Sequence, residues 1–174
     1  MIMYSLNIGL LPIMMMFLSL SDNPKVGETA PNFSGLSTGG KTITLEEYKG
    51  SWVILYFYPK AFTRGCTIES CGFRDNYAEL SKLNAKVIGV SFDDIEKQEE
   101  FKKVNELPFD LISDKDKSIA KSYDAVSLIK LYPKRKTFLI DPEGKIAYIF
   151  DKVDTGTHPQ DIIDLLTGFM KASD

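Results

Sequence analysis

The chain has 174 residues, 44% hydrophobic and 26% charged, enough for one globular domain with a sizeable core. Its net charge of −3 argues against nucleic acid as a partner, because a phosphate-binding domain carries a basic surplus that the short Lys134-Arg135-Lys136 run does not supply. Two cysteines are too few for a disulfide scaffold, and they cannot complete a four-donor zinc site; the single histidine, His158, lies far along the chain in a Thr-His-Pro context that reads as a loop.

Residues 1–23 read as separate from the domain, which spans residues 24–174. Ile8 to Leu20 is an apolar run broken by Gly9, Pro12 and Ser19. It is short for a membrane span of about 20 residues but suits the apolar stretch of a signal peptide, with Ser19-Leu20-Ser21 as small residues for cleavage. No Lys or Arg precedes it, as a secretory signal normally requires. Export or membrane tethering is the expectation. A cytoplasmic protein translated from Met14, Met15 or Met16 is the alternative.

Within the domain, Thr42 and Thr44 alternate with Ile43 and Leu45 after a Gly39-Gly40 turn, which predicts a small hairpin. Leu45 to Gly50 follows as a helical turn closed by glycine. Trp52 to Tyr58 is a run of seven apolar or aromatic residues, suited to a strand buried on both faces. Pro59 ends it, having no N–H for a central ladder. A helix from about Cys66 to Leu83 comes next. Lys86 to Phe92 predicts a second strand, Asp93-Asp94 an N-cap, and Ile95 to Asn105 a charged helix. Pro108 to Ser113 is a third strand. Asp114-Lys-Asp-Lys-Ser118 reads as a turn capping a short helix to Tyr123, since the later glycine and glutamate of a calcium loop are missing. Ala125 to Pro133 is loop. Thr137–Ile140 and Lys145–Phe150 form a hairpin across Asp141-Pro-Glu-Gly144, and Gln160 to Lys171 closes the chain as an amphipathic helix. The order predicts an α/β domain of thioredoxin-like arrangement: a mixed central sheet with helices on both faces and an N-terminal β-hairpin addition.

Both cysteines lie at the start of the helix that follows the buried strand, where the backbone dipole favours a thiolate. Five residues along a regular helix correspond to about 7.5 Å of rise and about 140° of rotation, placing the Cα atoms roughly 8–9 Å apart. A disulfide needs about 7 Å or less. Cys66 and Cys71 therefore cannot bond unless that turn unwinds, and a bridge that forms and breaks is the economical reading. Thr63, three residues before Cys66, is placed for its hydroxyl to reach the sulfur or the atom being attacked; taken alone it reads sooner as an ordinary N-cap or turn residue.

Tyr56-Phe-Tyr-Pro-Lys-Ala-Phe-Thr-Arg-Gly-Cys-Thr-Ile-Glu-Ser-Cys-Gly-Phe-Arg-Asp75 resembles the active-site segment of the peroxiredoxins, and in particular the peroxiredoxin Q or bacterioferritin comigratory protein subfamily. Pro59, Thr63 and Cys66 match the pattern Pro-x-x-x-Thr-x-x-Cys, Cys71 matches the subfamily's second cysteine, and Arg135 precedes the family's Thr-Phe-Leu-Ile-Asp strand. Asp114 in Leu-Ile-Ser-Asp and the Asp-Pro-Glu-Gly-Lys turn also sit in family order. The resemblance implies a thiol peroxidase for hydrogen peroxide and organic hydroperoxides. Cys66 would attack the peroxide and become a sulfenic acid, and Cys71 would resolve it as an intramolecular disulfide. A thioredoxin-like dithiol would reduce that bond. Thr63 and Arg135 would hold the peroxide, and Pro59 would shape the pocket. The resemblance implies no metal, haem or flavin, and an intrachain resolving cysteine that removes one reason for a dimer implies a monomer. Two departures stand out: Arg64 replaces the family's usual proline, adding a positive charge beside the thiol, and most relatives begin near the position of Pro24.

Two other classes compete with the peroxidase. A thiol–disulfide exchanger without peroxide chemistry would be expected to use Cys-x-x-Cys, and it leaves Thr63 and Arg135 unexplained. A non-catalytic binding or chaperone module on the same fold would need neither cysteine.

Overall fold

A computed structural model describes residues 23–173, so the expectation attached to the apolar run of residues 8–20 lies outside the described residues. Among the described residues, no helix is long and apolar enough to cross a membrane.

The buried run anticipated from Trp52 forms the central strand β3 (Trp52–Phe57). On one side it pairs in parallel with β4 (Ala85–Ser91), which pairs in parallel with β5 (Asp110–Ser113). On the other side it pairs antiparallel with β6 (Lys136–Ile140), whose neighbour is β7 (Ile146–Phe150). The N-terminal hairpin, β1 (Ser34–Ser37) and β2 (Lys41–Thr44), is not a separate appendage. Ser37 pairs with Ile112, joining the hairpin to the edge of one seven-stranded sheet in the order β2-β1-β5-β4-β3-β6-β7.

Strand alternation divides the core in two. Val53, Leu55 and Phe57 face one layer, with Phe33, Ile119, Ala120 and Tyr123. Ile54, Tyr56 and Tyr58 face the other, with Cys66, Phe73, Phe101, Ile162 and Leu166. Helices thus cover both faces, unequally. The short α4 (Ser118–Ser122) lies on the first; α1 (Arg64–Asp75), α3 (Ile95–Val104) and α5 (His158–Ser173) lie on the second.

Local chemistry explains most boundaries. Asp94 caps α3 by accepting from the Lys97 N–H at 3.1 Å. The Asp114 carboxylate accepts from the N–H groups of Ile119 and Ala120 at 3.1 and 2.8 Å, so the acidic turn acts as the cap of α4. The single helix expected over residues 66–83 is two. α1 begins earlier, at Arg64, and ends at Asn76, whose side-chain amide donates to the Gly72 carbonyl at 2.9 Å; α2 (Tyr77–Lys82) follows. That local bond offers the backbone an alternative to continuing the helix. His158 corrects a second expectation. It is not in a loop but opens α5, with Pro159 at a position where a missing N–H costs nothing. It is 1% exposed, and its Nε2 lies 2.9 Å from the Thr137 hydroxyl between the rings of Phe73 and Phe150.

Gly89 sets how closely β4 approaches the layer beneath α1. A Cβ there would lie 2.7 Å from both the Tyr56 phenol and a Leu111 methyl. The Tyr56 hydroxyl in turn bonds Ser70 of α1 at 3.0 Å. Gly89→Ala is expected to destabilise the fold by about 1–3 kcal/mol through overpacking, read as a lower midpoint in denaturant unfolding with an unchanged slope.

Candidate active site

The parallel and antiparallel neighbours of β3 assemble the site. Phe57 pairs with Lys136, so the residue before Lys136 arrives beside the loop leaving β3. That residue is Arg135. The loop itself is held from the other side: the Ala61 N–H donates to Asp93 at 2.8 Å, and Asp93 also accepts from Ser91 at 2.9 Å at the end of β4. Phe62 adopts a left-handed backbone (φ 64°) to turn the chain into α1, and its ring meets Phe101 edge-on. Half-buried Pro59 lines a surface cleft of about 270 Å³ with Lys60, Phe92, Asp93, Leu131 and Tyr132.

Thr63 is the N-cap of α1 by position, yet its side chain makes no capping bond. Its hydroxyl instead donates to the Lys60 carbonyl at 2.9 Å. The first helical bond runs from the Thr67 N–H to the Thr63 carbonyl, so the N–H groups of Arg64, Gly65 and Cys66 precede the ladder. Together they form the positive end of a twelve-residue helix. Cys66 is fully buried there. Arg64, the residue that departs from the family pattern, is exposed.

The cation that reaches the sulfur is Arg135. One guanidinium nitrogen lies 3.2 Å from Cys66 Sγ, and the other bonds the Glu69 carboxylate. Gly65 permits this approach, since a Cβ there would stand 3.3 Å from the same nitrogen. Glu69 was not among the residues singled out from the sequence. It lies three residues after Cys66 on the same face of α1, its side chain is 0% exposed, and its Oε1 has no hydrogen-bond partner among the described residues. Burial pushes its carboxyl up to about 7 while the Arg135 charge pulls it down. Burial also opposes the charge on Arg135, but Glu69 and the Cys66 sulfur together raise the guanidinium above its ordinary value, so it stays protonated. The one signal the sequence offered is helix spacing, which sets Glu69 three residues after Cys66 on the same face; its pairing with Arg135 is made by the sheet.

Cys71 is half-buried on another face of α1, its thiol donating to Asn105 Oδ1 at 3.6 Å. Neither cysteine is in a disulfide, and α1 runs unbroken through both. His158 contributes no base to the site: burial lowers its pKa to about 4, with Arg135 acting in the same direction and Asp161 against.

Known proteins resemble this chain over most of the domain. The family model described as AhpC/TSA matches residues 26–149. Peroxiredoxin Bcp of Bacillus subtilis is 38% identical over 148 residues, covering 82% of this chain and 94% of that protein. A cysteine-to-serine mutant of Xylella fastidiosa PrxQ superposes with a TM-score of 0.80 at 27% identity, covering 86% of this chain and 99% of that one. A bacterioferritin comigratory protein of Xanthomonas campestris, solved in trapped intermediate/ligand complexes bearing on its alkyl peroxide reduction, superposes with a TM-score of 0.75 at 30% identity, covering 79% and 91%.

The raised Glu69 carboxyl gives the site a pH signature. Because its folded pKa of about 7 lies above the ordinary 4.5, its contribution to stability is complete below pH 4.5 and is lost as pH rises through 7. Over the same interval Arg135 gains an ionised anchor. In Glu69→Gln, thermal stability should vary less across this window than in the wild type. The rate of Cys66 oxidation by hydrogen peroxide is expected to rise through pH 7 in the wild type, as Glu69 ionises and anchors Arg135, and to rise less there in Glu69→Gln.

Proposed function

Given that the chain belongs to the AhpC/TSA family and is a thiol-dependent peroxidase of the Bcp/peroxiredoxin Q kind, we propose that Cys66 is its peroxidatic cysteine and Cys71 its resolving cysteine. The observation that carries this assignment is the contact of the Arg135 guanidinium with Cys66 Sγ at 3.2 Å, at the positive end of α1.

The Cys66 sulfur attacks the near oxygen of a peroxide. The O–O bond breaks, sulfur takes the oxygen as a sulfenic acid, and the far oxygen leaves as water or an alcohol. The arginine, already charged and oriented by Glu69, stabilises the negative charge that builds on the oxygens without having to reorganise. The N–H groups of Gly65 and Cys66 add to this stabilisation. The Thr63 hydroxyl, its hydrogen donated in a bond to the Lys60 carbonyl, keeps its lone pairs to accept from the peroxide O–H. Fully buried Tyr56 and Tyr58, in the same layer as Cys66, keep bulk water from the sulfur, and Pro59 is assigned the shaping of the pocket on its match to the family pattern.

Cys71 then displaces hydroxide from the sulfenic sulfur, forming an S–S bond and releasing water. A thiol reductant closes the cycle, and we take it to be a thioredoxin-like dithiol. Substrates are hydrogen peroxide and organic hydroperoxides, the latter in keeping with the alkyl peroxide chemistry of the Xanthomonas campestris relative. With both cysteines in one chain the cycle needs no second copy, which supports action as a monomer. The apolar run of residues 8–20 supports export or membrane tethering, in which case the reductant is one resident in that compartment.

Peroxide-dependent oxidation of thioredoxin, measured for three variants, tests the assignment. Cys66→Ser should abolish it; activity surviving in that variant overturns the proposal. Cys71→Ser should perform one turnover and then stall, and full thioredoxin-linked turnover would mean another thiol resolves. Arg135→Ala should slow the first oxidation by about 10²–10³, the usual cost of losing one preorganised donor.

A further inference from the structure

We propose that Asn105, assisted by Arg74, is a latch on the resolving cysteine that sets how fast Cys71 reaches Cys66, and hence how readily the enzyme is over-oxidised. The inference rests on the reading of Cys71 as the resolving thiol.

Two faces of α1 have different partners. Cys66, Glu69, Ser70 and Phe73 face the buried layer. Cys71 and Arg74, three residues apart, both turn to one residue at the C-terminal cap of α3. The Cys71 thiol donates to Asn105 Oδ1 at 3.6 Å, and an Arg74 guanidinium nitrogen donates to the Asn105 carbonyl at 2.9 Å. The amide cannot simply turn over. Its Nδ2 donates to the Phe101 carbonyl at 2.9 Å, which fixes Oδ1 as the atom presented to the sulfur. An amide oxygen can accept from a thiol only while the sulfur keeps its proton. The contact is one that only the thiol makes, and it keeps Cys71 turned to α3, on a face of the helix away from Cys66.

Two reactions compete for the sulfenic acid. In one, the Cys71 sulfur forms an S–S bond to Cys66, the S–O bond breaks, and the thiol proton leaves with hydroxide as water. In the other, a second peroxide transfers an oxygen to the sulfenic sulfur, giving a sulfinic acid and an alcohol or water. Only the first must break the Asn105 contact. Loosening the latch therefore favours the disulfide, and tightening it favours over-oxidation at high peroxide.

Rapid quenching followed by mass spectrometry of the intact full-length protein tests this, following sulfenic acid, disulfide and sulfinic acid against hydrogen peroxide dose. Losing one hydrogen bond corresponds to about three- to tenfold in rate. Asn105→Ala should form the 66–71 disulfide faster by that factor and need a correspondingly larger dose for half conversion to sulfinic acid, with the first oxidation of Cys66 unchanged. Arg74→Gln, at a one-third exposed position, should move both quantities the same way by less, and carries the test if Asn105→Ala does not fold. Disulfide formation that is unchanged or slower, or a first oxidation altered by the same factor, overturns the latch. If the wild type forms no 66–71 disulfide, the assignment of Cys71 beneath it fails instead.

Discussion

Everything at this site depends on one guanidinium with two partners. Arg135 bonds a buried carboxylate with one nitrogen and the buried thiol sulfur with the other. The carboxylate would not be tolerable alone: an ionised acid with no exposure is expensive unless it is paired, and even here Glu69 keeps one oxygen without a partner among the described residues. The carboxylate thus holds one end of the guanidinium, and a planar fork anchored at one tine has little freedom at the other. On the proposed mechanism, the cost of burying Glu69 is offset by the rigidity it gives to a cation that has to be in place when charge develops on the peroxide.

The sheet makes that arrangement possible. Arg135 and Cys66 are 69 residues apart, and no local rule brings them together. The antiparallel pairing of β6 with β3, in the register that sets Lys136 against Phe57, delivers Arg135 to the mouth of the β3–α1 loop. The same pairing buries Thr137 against His158, so the opening turn of α5 is fastened to the strand that carries the arginine. Its low pKa keeps that histidine neutral, and it fills space between two phenyl rings instead of adding a competing cation.

Much of this was legible in the chain. The unbroken apolar run before Pro59, the cysteine pair and the Asp-Pro-Glu-Gly turn carry their meaning locally, and the elements they predict are present. What the sequence concealed is non-local or depends on a single side chain. Glu69 looks like any helix carboxylate until β6 places a cation over it. His158 reads as a loop residue because Pro159 follows, although proline is equally at home in the first turn of a helix. The break at Asn76 is written in one amide that bonds its own helix, which periodicity does not detect. The hairpin's attachment to β5 rests on the Ser37–Ile112 pairing, which has no sequence signature at all.

That break at Asn76 has a consequence for cooperativity. A helix continuous to Leu83 would open as one unit, drawing buried Leu80 and the α2–β4 connection with it. Ended at Asn76, α1 is a short independent module whose melting stops at a defined boundary. Phe73, fully buried among Tyr56, Phe109 and His158, pins its far half. The segment free to unravel is thus confined to little more than the turns that hold the two cysteines. If Cys66 and Cys71 pair as proposed, the turn between them can unwind and re-form while the sheet behind it remains fixed.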